Sequence, residues 1–185
     1  MTANQTPLAS PTASLKQYCR QEAETASLAK HLAAAIQVFI GHTPEAHLNI
    51  SLEGDLGAGK TTFARHLIQS LGHEGKVKSP TYTLCEPYLL QSNQGAFTVH
   101  HFDLYRMRDP LEWQEAGFAE YFDVPGFCLI EWPEKAKGTL PAFDIQIALT
   151  TGTGENERAI ELNAFSEPGR KVVESIQATP KPIHG

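Results

Sequence analysis

The sequence predicts an α/β fold with a mixed, parallel and antiparallel, central sheet flanked by helices, and three observations predict it. Leu48, Ile50 and Leu52 alternate with polar neighbours, then run into a glycine-rich turn and an apolar helical stripe, which makes a strand–loop–helix unit. Phe127-Cys128-Leu129-Ile130 is a short unbroken apolar run, as a strand covered on both faces requires. Two pairs of β-rich segments are each joined by a short turn, which adds antiparallel hairpins.

The elements follow in chain order. Residues 1–15 are rich in Ser, Thr, Pro and Ala and bury too little to offset the entropy of ordering, so they are expected to form a flexible tail. From Thr25, a candidate N-cap, Leu28, Leu32, Ile36 and Ile40 recur every four residues up to Gly41, the pattern of an amphipathic helix. After the strand of Leu48–Leu52 and its loop, Phe63, Leu67 and Leu71 line a second helix that stops at Gly72. Thr81–Leu90 and Ala96–Tyr105 flank a turn-forming stretch and form the first hairpin. Asp109-Pro110-Leu111-Glu112 combines a capping carboxylate, a proline at the first helical position and a glutamate that can reach back, so a helix is expected to start there. Ile145, Ile147 and Leu149 alternate, Gly152-Thr153-Gly154 turns, and Ala159–Leu162 returns as the second hairpin. The last residues, 179–185, are expected to fray, leaving one domain over 16–178.

Composition narrows the function classes. The chain has 185 residues and 20.3 kDa, near the usual size of one domain. It is 41% hydrophobic and 19% charged, which excludes a fibrous or wholly disordered chain. The greasiest stretch, Leu28–Ile40, is broken by Lys30, His31 and Gln37, so no membrane span is expected. Nor does the N-terminus place a basic cluster before an apolar run; the expected compartment is the cytoplasm. Three widely spaced cysteines, Cys19, Cys85 and Cys128, fit reduced thiols. With a net charge of −6, the chain lacks the basic surplus of a protein that grips nucleic acid alone, so any RNA is expected to be held by something else.

Residues 54–61 match the phosphate-loop pattern G-x-x-x-x-G-K-[ST], for which this composition gives about 0.006 chance occurrences. Glycines let successive backbone N–H groups converge on one point, and the following helix adds its positive end. This makes the domain P-loop NTPase-like, with a nucleoside triphosphate and Mg²⁺ as the expected ligands. Asp55, Leu56, Gly57, Ala58, Gly59, Lys60, Thr61 and Thr62 are the predicted nucleotide contacts. Lys60 neutralises the terminal phosphates and the Thr61 hydroxyl is a metal ligand, whereas the Thr62 side chain either contacts phosphate or merely caps and packs.

Two acids compete to complete the site. Glu131 ends the most apolar strand and is assigned to the metal; Asp103 closes a less apolar strand and is assigned to the attacking water or the metal's outer sphere. The alternative for each is an ordinary carboxylate at a strand end. Lys60, Asp103 and Glu131 are thus the predicted catalytic residues. Ser79 and Thr81, in Ser-Pro-Thr-Tyr-Thr, are candidate switch hydroxyls; a proline-led strand entry explains them equally well. Trp132 either packs over nucleotide or belongs to the core. Arg106 and Arg108 either stabilise transition-state charge or form surface ion pairs. His100 and His101 are adjacent on a strand, face opposite ways and form no simple metal pair.

The residues resemble the TsaE (formerly YjeE) family of bacterial P-loop ATPases. The resemblance is carried by the loop 54–63, by Ser79-Pro80-Thr81-Tyr82-Thr83-Leu84, by His101-Phe102-Asp103-Leu104-Tyr105-Arg106 and by Leu129-Ile130-Glu131-Trp132-Pro133, in that order. It spans roughly Thr25–Leu162. It implies ATP and Mg²⁺ binding, Thr61 and Glu131 at the metal, Asp103 in hydrolysis and 79–84 as a nucleotide-sensitive switch. It also implies action with TsaB and TsaD in threonylcarbamoyl transfer to the adenosine beside the anticodon of ANN-decoding tRNAs, with tRNA met only through that complex. Three other readings compete. A GTP switch would carry an N-K-x-D tetrad, which is missing, and a small-molecule kinase would bring an arginine-rich lid, whereas the six arginines are scattered. A nucleotide-gated binding module with incidental hydrolysis stays open.

Overall fold

The computed structural model describes residues 9–178, so residues 1–8 of the expected N-terminal tail and the expected tail 179–185 lie outside the described residues. Seven strands form one mixed sheet in the order β1-β7-β6-β2-β5-β4-β3. β2 (His47–Glu53) is central, parallel to β5 (Gly126–Glu131) on one side and to β6 (Ile145–Thr151) on the other. β4 (Gly95–Asp103) runs parallel to β5, and antiparallel hairpins add β3 (Cys85–Ser92) to β4 and β7 (Arg158–Ala164) to β6.

The edge beyond β7 corrects one expectation. Ala13, Ser14 and Leu15 were expected in the tail, yet they open β1 (Ala13–Cys19), which pairs antiparallel with β7. An edge strand is held by its backbone ladder and needs only one covered face. Alternate residues of β1 are half-buried, with Ala13 and Leu15 against the core.

Three helices cover one face of the sheet: α1 (Glu22–His42), α2 (Lys60–Ser70) and α4 (Glu167–Gln177). α1 starts earlier than Thr25: Gln21 is the cap, the Glu24 carboxylate returns to its backbone N–H, and Thr25 is buried inside the helix. Gly41 lies within the last turn and Thr43 caps the end. On the opposite face, Phe102, Leu104, Met107, Trp113, Phe122, Cys128 and Ile130 form a second cluster under short turns. There the helix expected at Asp109 is one turn, α3 (Glu112–Glu115), although the Glu112 carboxylate does accept from the Asp109 N–H as foreseen. Thr81–Leu84, expected to be strand, is a turn, and β3 begins at Cys85. All three cysteines are buried and free. No helix among the described residues is long and apolar enough to cross a membrane.

These pairings place three carboxyl-terminal strand ends side by side. Leu52 is opposite Glu131, and Glu131 is opposite Asp103, so the end of β2 and both candidate acids meet at one edge. Ligand crevices of open α/β sheets form at such an edge.

Candidate functional site

β2 hands over to α2 through a loop whose first residue has no room for a side chain. A Cβ on Gly54 would stand 2.5 Å from the Leu149 carbonyl oxygen of β6, so the chain can leave the sheet here only without a side chain. Gly59 adopts a left-handed φ of 97° and caps α2. The first bond of the helix runs from the Phe63 N–H to the Gly59 carbonyl, at 2.9 Å, which leaves the N–H groups of Lys60, Thr61 and Thr62 without intrahelical acceptors. With the helix dipole they make an anion-binding end.

Lys60 stands in this end. Its Nζ donates to the carbonyls of Gly54, at 2.5 Å, and Asp55, at 2.9 Å, and lies 4.0 Å above the centre of the Trp132 ring. Burial pushes the ammonium below the usual lysine range, while Glu131, Glu134, Asp103 and Asp55 oppose that shift. An incoming phosphate would therefore find a cation already stripped of much of its water.

The two acids are held differently. Glu131 is 1% exposed; its Oε1 accepts from the Thr61 hydroxyl at 2.8 Å and its Oε2 from His101 Nε2 at 2.9 Å. Asp103 is buried too, and its Oδ2 accepts from the Ser79 hydroxyl while Oδ1 accepts from the Tyr105 N–H at 3.0 Å. These groups line a cleft of about 390 Å³ between the loop, the 79–81 segment, Trp132 and Arg158.

Of the predicted residues, Leu56, Gly57, Gly59, Lys60, Thr61, Thr62, Ser79, Thr81, Asp103, Glu131 and Trp132 all border this cleft. Asp55 and Ala58 do not. The Asp55 residue borders a separate groove with Glu134 and Phe143, and contributes its carbonyl to Lys60. Ala58 is buried behind the loop, its carbonyl accepting from Arg158 Nε at 2.8 Å. Arg106 forms no ion pair among the described residues; its guanidinium lies 4.4 Å over the Tyr82 ring. His100 and His101 face opposite ways, as adjacent strand residues must. His100 stacks on Tyr121 and His101 meets Glu131.

Two residues lie outside the predicted site set, although the turn Gly152–Arg158 was expected to approach the base or ribose. His101 sits two positions before Asp103 on β4, so the spacing already puts it on the acid's face; considering it only as half of a pair with His100 hid that. Arg158 opens β7 and reaches the loop carbonyls of Ala58 and Gly57. It is steadied by the preceding turn, where Glu157 Oε2 accepts from the Tyr18 and Thr153 hydroxyls and the Gly154 N–H. These bonds, the Tyr18 hydroxyl first, pull the Glu157 carboxyl down to about 2. Nothing local to Arg158 announces a contact a hundred residues away.

The strand order, the glycine loop and the acids at its edge define a P-loop NTPase-like α/β domain. A family model described as "Threonylcarbamoyl adenosine biosynthesis protein TsaE" matches residues 19–160, and the chain belongs to that family. It is 41% identical over 163 residues to the tRNA threonylcarbamoyladenosine biosynthesis protein TsaE of Haemophilus influenzae, covering 88% of this chain and 98% of the relative. With the Bacillus subtilis protein of the same description it shares 41% over 127 residues, 69% of this chain and 76% of the relative. A crystal structure of Bacillus subtilis YdiB superposes with a TM-score of 0.68 at 31% identity, covering 89% of this chain and 95% of that one.

Proposed function

We propose that this chain is a Mg²⁺-dependent, ATP-hydrolysing protein of the cytoplasm that supports formation of the threonylcarbamoyl group on the adenosine beside the anticodon of ANN-decoding tRNAs, acting with TsaB and TsaD. One observation carries the reading. A free helix end, a partly desolvated lysine, a hydroxyl–carboxylate pair and a second buried carboxylate converge on one cleft. The descriptions of its relatives supply the pathway.

The residues present suit a magnesium ion. The Thr61 and Glu131 oxygens stand 2.8 Å apart, close to the spacing of about 2.9 Å between neighbouring oxygens around an ion with ligands at 2.0–2.1 Å. Mg²⁺ usually takes only one or two protein oxygens when phosphates supply the rest. Bound there, it would neutralise phosphate charge; Thr61 and Glu131 would hold it.

The chain's own groups perform the remaining work. The loop and helix N–H groups grip the phosphates, and Lys60 transfers its bonds from the Gly54 and Asp55 carbonyls to phosphate oxygens. Asp103, at the end of β4, orients the attacking water and accepts its proton; each of its oxygens keeps a lone pair beyond the bonds from Ser79 and Tyr105. A smaller cavity beside Gly59, bordered by Glu22, Thr25, Asn156 and Arg158, offers room for the sugar or base.

The Ser79–Asp103 bond also favours a second reading, a nucleotide-gated module whose hydrolysis is incidental. Turnover separates the two. The isolated protein is expected to hydrolyse ATP slowly, and Lys60→Ala and Glu131→Ala to lower the rate at least about 100-fold. Reconstituted tRNA modification with TsaB and TsaD is expected to need this chain for repeated cycles. Wild-type binding and hydrolysis by Lys60→Ala would refute the site, and indifference of modification to the chain's omission would refute the role.

A further inference from the structure

Glu131 owes its orientation to a partner outside the phosphate loop. Its carboxylate is buried, and each oxygen has one donor: Thr61 from α2 and His101 from β4. The Thr61 bond is the temporary one, because the same hydroxyl is the ligand a metal would claim. His101 is different. It is 0% exposed and two residues from Asp103 on the same strand face, and its Nδ1 has no partner among the described residues. An ionised carboxylate oxygen can only accept, so Nε2 carries the hydrogen, and the ring's sole hydrogen bond is spent on Glu131. A buried imidazole that leaves one nitrogen unsatisfied loses free energy that an apolar residue of similar size would keep. Packing alone therefore gives this position no reason to be histidine.

We propose that His101 is a positioning residue for the metal: it holds Glu131 Oε2 so that Oε1 stays aimed at Thr61 whether or not the threonine hydroxyl is engaged elsewhere. Outer-sphere donors of this kind fix a ligand's rotamer and its basicity. The inference rests on the Mg²⁺–ATP reading above and adds to it the residue that sets metal affinity from behind.

The test titrates Mn²⁺ into the full-length protein saturated with a nonhydrolysable ATP analogue and reads bound metal by electron paramagnetic resonance. His101→Leu, His101→Gln and His101→Asn are compared with the parent. Glutamine can place an N–H donor near the Nε2 position, whereas asparagine places it near Nδ1, one bond too short. Leucine and asparagine are expected to weaken Mn²⁺ binding about 10- to 100-fold, and glutamine to hold it within about threefold. Metal-free binding of the analogue stays at the parent's value in all three.

Should leucine prove too destabilising to fold, the contrast between glutamine and asparagine decides alone. Parent-like Mn²⁺ affinity in the asparagine variant, or equal loss in both amide variants, overturns the positioning role. So does a leucine variant whose only change is a lower Tm. A parent protein that binds the analogue but no Mn²⁺, or does not bind the analogue, overturns the Mg²⁺–ATP reading itself, and this inference with it.

Discussion

Strand β4 shows two faces of one sheet put to different uses. Toward the helices it presents His101 and Asp103, both bonded to partners at the cleft: a carboxylate for the histidine, a serine hydroxyl for the aspartate. Toward the other side it presents His100 and Phe102. His100 stacks on Tyr121 at 4.1 Å between ring centres, and Phe102 packs against Phe118 and Phe122 at 5.8 and 5.5 Å. Four consecutive residues thus alternate between polar contacts at the cleft and ring contacts beneath the opposite turns. The two kinds of change should separate: substitutions on one face alter binding and turnover, those on the other alter unfolding.

The largest effect expected is on the aromatic face. Phe102 is 1% exposed, and Phe102→Ala removes a ring wedged between two others, so a loss of about 3–5 kcal/mol in unfolding free energy is expected by urea titration. Analogue affinity measured on the folded protein should change by less than about threefold, since the ring's aromatic partners, Phe118 and Phe122, do not line the cleft. A large drop in affinity at unchanged stability would break the separation.

His100 offers a subtler test through pH. Burial, helped by the nearby His47, pushes its imidazole down to about 4, against 6.5 for an unperturbed histidine. Above 6.5 neither state binds the proton. Between 6.5 and about 4 only the unfolded chain takes it up, so the stability from this site is complete at neutral pH and is lost as pH falls through that window. The loss amounts to about 3 kcal/mol. His100→Phe keeps a ring to stack on Tyr121 and has nothing to titrate; urea midpoints at pH 7, 5.5 and 4 should therefore fall less steeply than the parent's. Identical slopes would mean that the ring takes up its proton without leaving the stack.

How much of this was legible in the residues follows the range of the forces involved. The loop was readable because its requirement is local: a strand, glycines that tolerate positive φ, then a helix start, all within one stretch of chain. Glu131 and Asp103 were readable as strand ends, and strand ends collect at one edge of a parallel sheet. The β1 boundary was not, because Ala13–Leu15 is strand only by virtue of β7, far along the chain. The contact of Arg158 with the loop escaped for the same reason. Trp132 was left between two roles, and the structure sets its ring under Lys60 and tilted against Tyr105 at 4.9 Å. Its φ of 58° turns the chain sharply after Glu131, a backbone feature that no side-chain pattern announces.

The smallest effect expected would sharpen the contrast within the cleft itself. Glu131 is tied to a helix and to a neighbouring strand, through Thr61 of α2 and His101 of β4. Asp103 is tied to Ser79, in a segment from His73 to Leu84 without helix or strand. Val77 and Pro80 are buried and anchor that segment from within, so the Ser79–Asp103 bond adds a latch to an arm that is already docked. Ser79→Ala removes the latch at a cost of about 1 kcal/mol, because water in the open cleft can satisfy the freed carboxylate oxygen. Amide exchange is expected to speed up about fivefold in residues 76–84 and to stay unchanged in β2 and β5. If the segment exchanges no faster, Val77 and Pro80 alone hold it, and the two acids differ in their partners without differing in their mobility.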